Sequence, residues 1–128
     1  EHERAVLFLP EPETIRVPMA FASARFQPEP GDAYRIQTLA KNAARIQARG
    51  RTDGLGDPEA DRETARLRAE SARQYLINRG VDPAVISVSS YPGADLIDDN
   101  ARYAGRHANR RVDLVFWPAI PSTDEARR

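Results

Sequence analysis

Ile46-Gln47-Ala48-Arg49-Gly50-Arg51-Thr52-Asp53-Gly54-Leu55-Gly56-Asp57-Pro58 is the stretch on which the fold turns. Ile46, Ala48 and Gly50 alternate with Gln47, Arg49 and Arg51, the period of two of a half-buried strand, read over Arg45–Arg51. Thr52 to Pro58 then forms a Gly-rich loop. From Glu59 to Arg79 the chain is rich in helix formers, and Gly80 stands where a helix C′ residue is expected. Strand, loop and helix thus follow one another directly.

Upstream, Ile15, Val17, Met19 and Phe21 alternate with Arg16, Pro18 and Ala20, predicting another strand. Pro18 inside it implies a sheet edge or a bulge, because proline cannot donate to a ladder. Pro28-Glu29-Pro30-Gly31-Asp32 signals a helix start with Asp32 as N-cap. The helix would carry Ile36, Leu39, Ala40 and Ala43 on one face.

Downstream, Asp82-Pro83 opens a turn, Val85–Ser90 reads as a short strand and Tyr91–Gly105 as a long polar loop. Arg110–Trp117 alternates again, with Val112, Leu114 and Phe116 on one face, until Pro118 stops it. The expected class is α+β: a β-α-β-α-β-β sandwich with one mixed sheet and helices on one face. Residues 1–14 form an extension whose apolar run, Ala5 to Leu9, suggests an accessory strand. Residues 15–118 make the domain, and residues 119–128 a frayed tail.

At 128 residues the chain has the length of one domain with one core. Nineteen basic residues balance nineteen acidic ones, which argues against a nucleic-acid binder. All the basic residues except Lys41 are Arg, whose planar fork suits carboxylate and phosphate. The absence of Cys excludes disulfides, thiolate metal sites and Cys nucleophiles. The only histidines, His2 and His107, lie far apart, and Asp95, Asp98 and Asp99 lack calcium-loop spacing. No Gly-x-Ser-x-Gly elbow is present. The chain is therefore expected to be no enzyme, and to hold no metal or cofactor. It contains no membrane-spanning stretch. A chain opening at Glu1 rather than Met is expected to be part of a longer protein, with any anchor outside it.

The second helix carries the most informative position. Ala65, Ala69, Ala72 and Leu76 form one apolar stripe, and Arg68 lies on or beside it. A guanidinium there must snorkel to water, pair with a structural carboxylate or line a binding cleft, because an unpaired buried charge is strongly unfavourable. Asp53, at the strand end, is the candidate partner or co-resident. A carboxylate and a guanidinium flanking one cleft would receive a zwitterion.

These segments resemble the OmpA C-terminal-like family, the peptidoglycan-binding module of OmpA, Pal and MotB. Ile46 to Asp53 is similar to the family's Ile-x-Val-x-Gly-His-Thr-Asp signature. Arg68-Ala69-Glu70-Ser71-Ala72 is similar to its Arg-Ala-x-x-Val motif. Tyr75 to Val81, Ile86-Ser87, Asp99-Asn100, Gly105-Arg106 and Asn109-Arg110-Arg111-Val112 continue the likeness through Phe116. The resemblance implies periplasmic, non-covalent binding of peptidoglycan through the meso-diaminopimelate of its stem peptide. It also implies attachment to an outer- or inner-membrane-anchored protein of a Gram-negative envelope. Carried over, Asp53 and Arg68 grip the amino acid end, and Thr52, Asp61 and Arg110 complete the pocket. Asn109 and Arg111 rank lower, as residues that fix the loop and strand.

Several positions depart from the family pattern. Arg51 replaces the His, Asp61 an Asn, and Thr64-Ala65 a Leu-Ser pair. Apolar Met19-Ala20-Phe21-Ala22 replaces a turn bearing Asp or Asn, and the first helix is expected to lose one or two turns. An alternative reading keeps the fold but not the ligand: an envelope docking module in which Asp53 and Arg68 pair with each other.

Overall fold

The computed structural model describes residues 11–93 and 96–119. The Arg4–Leu9 run, Asp95 and the tail beyond Ala119 lie outside them. Strand β1 (Glu13–Pro18) leads to helix α1 (Pro30–Lys41), β2 (Ala43–Thr52) and α2 (Pro58–Asn78). A 3-10 turn at Pro83–Val85 precedes β3 (Ile86–Pro92), α3 (Tyr103–Asn109) and β4 (Arg111–Pro118). The strands form one sheet in the order β1-β4-β2-β3. The pair β2–β3 is parallel, while β4 runs antiparallel to both β1 and β2. This is a mixed four-stranded α+β sheet with helices on one face.

Register separates the two faces. Ile15, Leu114 and Ala48 stand side by side, as do Val17, Val112 and Gly50, with Ile46 between Phe116 and Ile86. These residues face α1 and α2 and join Ile36, Ala72 and Leu76 in the core. The α2 stripe is buried as its spacing predicts. Gly50 explains the close approach of helix and strand: a Cβ there would fall 1.8 Å from the Ala65 carbonyl oxygen. Small residues on both sides let α2 settle against β2, which carries Arg68 into the interior.

The opposite face is built on guanidinium chemistry. Asp113 accepts from Arg51 Nε at 3.2 Å and Arg111 Nε at 2.7 Å, all three side chains being buried. Arg51 also lies over the Tyr91 ring and Arg45 over that of Trp117. Arg49 Nε donates to Gln47, which donates to Ser89.

Four expectations change. β1 ends at Pro18, so Phe21 sits in a turn rather than on the strand, although Met19 remains buried. Pro18 does close an edge strand, as a residue without an N–H should. The α1 N-cap is Glu29 rather than Asp32, because Pro30 occupies the first helical position, where its fixed φ fits. Ala43 belongs to β2, not to the α1 face. The polar loop before the last strand contains a helical segment, α3. It is pinned by Asn109, whose Oδ1 accepts from the backbones of Ile97 and Asp98.

Candidate functional site

The cleft lies where β2 ends and α2 and β4 begin, with the turn after β1 as its fourth wall. It encloses a cavity of about 450 Å³ lined by Thr52, Asp53, Asp61, Arg68 and Arg110. These are the five residues that the family resemblance carried into the pocket first. Phe21, Leu55 and Arg106 line it as well.

The loop after β2 shapes the floor. Asp53, 9% exposed, accepts the Leu55 N–H at Oδ1 over 3.0 Å and Arg110 Nε at Oδ2 over 2.8 Å. Its main-chain carbonyl accepts from Asn100 Nδ2 at 2.7 Å, which ties the β2 end to the loop before α3. Thr52 Oγ1 accepts the Gly54 N–H. Gly54 has φ +77° and meets Gly93 so closely that a Cβ would lie 2.6 Å from the Gly93 Cα. Only glycine satisfies both the left-handed backbone and that contact. Asp57 caps α2 by accepting from Ala60, and Asp61 Oδ2 accepts the Gly56 N–H at 3.2 Å.

Arg68 stands behind this floor with only 1% of its surface exposed. Its Nε donates to the Ser23 carbonyl (2.8 Å), Nη1 to that of Arg51 (2.7 Å) and Nη2 to that of Ala20 (3.1 Å). It makes no ion pair with a described carboxylate. Burial, then the neighbouring charge of Arg110, lowers its pKa to about 10, while Asp53 and Asp61 act in the opposite direction. Three of the five guanidinium N–H groups are used, leaving one on each terminal nitrogen. One carboxylate can accept both.

The Asp53–Arg68 ion pair contemplated from sequence is therefore not formed. Asp53 pairs with Arg110, and Arg68 finds main-chain carbonyls, because the end of β2 and the turn after β1 reach its side chain. Asn109 and Arg111 lie away from the cavity. Asn109 Nδ2 donates to the Asp98 carbonyl and Asn100 Oδ1, and Arg111 belongs to the Asp113 pair on the other sheet face. Arg51, in the family's His position, is likewise on that face. Sequence reasoning left Arg106, Leu55 and Phe21 out of the cavity. The Gly105-Arg106 pair was the available signal for the first: Gly105 packs against the Asp99 carbonyl, and Arg106 Nη1 donates to that of Asn100.

Known proteins place this architecture. A Brucella melitensis protein named as a type IV secretion system outer membrane lipoprotein is 32% identical over 106 residues, covering 82% of this chain. The chain spans 62% of the length of that relative. The peptidoglycan-associated lipoprotein of Haemophilus influenzae is 33% identical over 88 residues, covering 66% of this chain and 56% of that protein. Among solved structures, the C-terminal domain of Helicobacter pylori MotB superposes with a TM-score of 0.69 at 25% identity. That match covers 88% of this chain and 91% of the other. The OmpA family model matches residues 21–110, and the chain belongs to the OmpA family.

Proposed function

We propose that this chain binds peptidoglycan non-covalently in the periplasm and anchors an envelope protein or complex to the cell wall. The ligand is the zwitterionic end of meso-diaminopimelate in the stem peptide. Arg68 supplies two N–H donors to its carboxylate, and Asp53 receives its ammonium beside Arg110. No bond is made or broken; the chain acts by holding.

One observation carries the reading. Arg68 is a buried guanidinium at a cavity wall, its described partners are main-chain carbonyls, and a second cation, Arg110, stands nearby. Two cations near one cavity favour an anion between them. Asp53 and Asp61 supply the complementary sign for an ammonium. The name of the Haemophilus relative, a peptidoglycan-associated lipoprotein, supports peptidoglycan as the partner. A single small-ligand site binds weakly, so retention on the wall would come from many stem peptides and many copies.

Co-sedimentation with isolated sacculi tests the reading. Wild-type chain pellets with the wall, whereas folded Asp53→Asn and Arg68→Lys chains remain largely in the supernatant. Equal pelleting of all three overturns the site. Under the docking alternative Asp53 and Arg68 would pair with each other, whereas Asp53 bonds to Arg110. A wild-type chain that stays in the supernatant would favour docking.

A further inference from the structure

We infer that Phe21 is a stacking platform for a sugar ring of the glycan strand, held at the lip of the cavity that grips the stem peptide. The inference rests on the peptidoglycan reading above and extends it from peptide to glycan. Phe21 is 75% exposed and Leu55 61%, and both border a cavity whose other walls carry charged groups. The core makes no use of the Phe21 ring, so its position requires another explanation.

The turn that presents it is fixed with unusual care. Arg68 holds the carbonyls on both sides of Phe21, those of Ala20 and Ser23. Ser23 N–H returns to the Ala20 carbonyl at 3.0 Å, and Met19 N–H reaches the Arg110 carbonyl at 2.6 Å. Ala22 adopts φ +58°, a left-handed conformation that a residue with a Cβ rarely takes. Such strain persists only where the surroundings over-determine it, and it concentrates at ligand-contacting sites.

The ring itself is oriented. Arg110 Cζ lies 4.8 Å from its centroid, and the same guanidinium is bonded to Asp53. Carboxylate, guanidinium and ring thus form one connected stack, with a cation over one face of the ring and the rest open to solvent. An open aromatic face carries negative charge density and suits the C–H face of a pyranose, whose hydrogens are slightly positive. In a muropeptide that sugar is tethered to the peptide on the cavity floor, so its local concentration at the lip is high.

Calorimetric titration of the 128-residue chain with a disaccharide–tetrapeptide, and with the same tetrapeptide freed of sugar, tests this. Wild type binds the sugar-bearing ligand about threefold to tenfold more tightly. Phe21→Ala weakens binding of the sugar-bearing ligand more than that of free tetrapeptide and so removes the preference, while Phe21→Trp retains it. Equal wild-type affinity for the two ligands overturns the sugar contact and leaves the peptide site standing. So does a Phe21→Ala loss that is equal for both ligands. Failure of wild type to bind either ligand overturns the peptide site, and the sugar contact with it.

Discussion

Arg110 Nε donates to Asp53 Oδ2 over 2.8 Å, and both side chains are almost fully buried. The pair joins the start of β4 to the end of β2 and takes up the carboxylate that Arg68 would otherwise claim. Removing either partner leaves an uncompensated buried charge. Asp53→Ala or Arg110→Ala is expected to destabilise the fold by roughly 3 kcal/mol, and the double variant by clearly less than the sum. Urea denaturation of the four chains measures the coupling directly.

Arg68 is held by three carbonyls from two segments, so its loss should loosen the turn after β1 as well as weaken binding. Arg68→Lys keeps the charge but lacks the planar fork. It is expected to lower the melting temperature, and hydrogen exchange at residues 20–23 should accelerate while the β2–β4 ladder stays protected. Uniform acceleration across the sheet would place the clamp elsewhere.

The depressed pKa of Arg68 has a defined consequence for stability. With a folded-state value of about 10, below the ordinary arginine range, the native state binds fewer protons than the unfolded chain from about pH 10 up to that ordinary range. Stability from this group therefore rises with pH across that window. Comparing wild type with Arg68→Met by chemical denaturation at pH 8 and pH 11 should show the difference moving in favour of wild type at the higher pH.

Gly50 has no room for a methyl group, since a Cβ would meet the Ala65 carbonyl oxygen at 1.8 Å. Gly50→Ala is expected to push α2 off β2 and destabilise the chain by about 1–3 kcal/mol. Because α2 carries Arg68, affinity for wall fragments should fall with it. A Gly50→Ala chain of unchanged melting temperature would contradict the packing.

Asp113 provides the contrast. Its carboxylate lies between Arg51 and Arg111 on the sheet face opposite the cavity. Asp113→Asn is expected to destabilise the fold by roughly 3 kcal/mol while leaving the affinity for stem peptide at the wild-type value. Loss of binding in a folded Asp113→Asn chain would link the two faces.

The fold was largely legible because its decisive signals are local. The alternation at Ile46–Gly50, the loop glycines and the Ala65-Ala69-Ala72-Leu76 stripe each act over a few residues. Helix α3 was not legible, since Tyr103–Asn109 has no apolar stripe and depends on Asn109 bonding to residues 11 positions away. Five of the lining residues, Thr52, Asp53, Asp61, Arg68 and Arg110, were named from the resemblance, and the spacing argument had already singled out Asp53 and Arg68. The partners of Arg68 left no trace in the sequence, because main-chain carbonyls carry no residue signature. Phe21 continued an alternation that Pro18 ended, and only the clamped turn reveals where its ring goes. The Arg51–Asp113 pair spans 62 positions, beyond the reach of any local pattern.

The central claim is that Arg68 and Asp53 together recognise an amino acid end bearing both charges. The most direct measurement follows backbone amide shifts during titration with a stem tetrapeptide containing meso-diaminopimelate, and with its lysine counterpart, which has the ammonium but lacks the neighbouring carboxylate. The account predicts saturable shifts at residues 53, 61, 68 and 110 with the diaminopimelate peptide, and binding at least tenfold weaker with the lysine peptide, the loss of a charge-assisted carboxylate contact. Equal binding of the two peptides, or no shift at those residues with diaminopimelate, would contradict it.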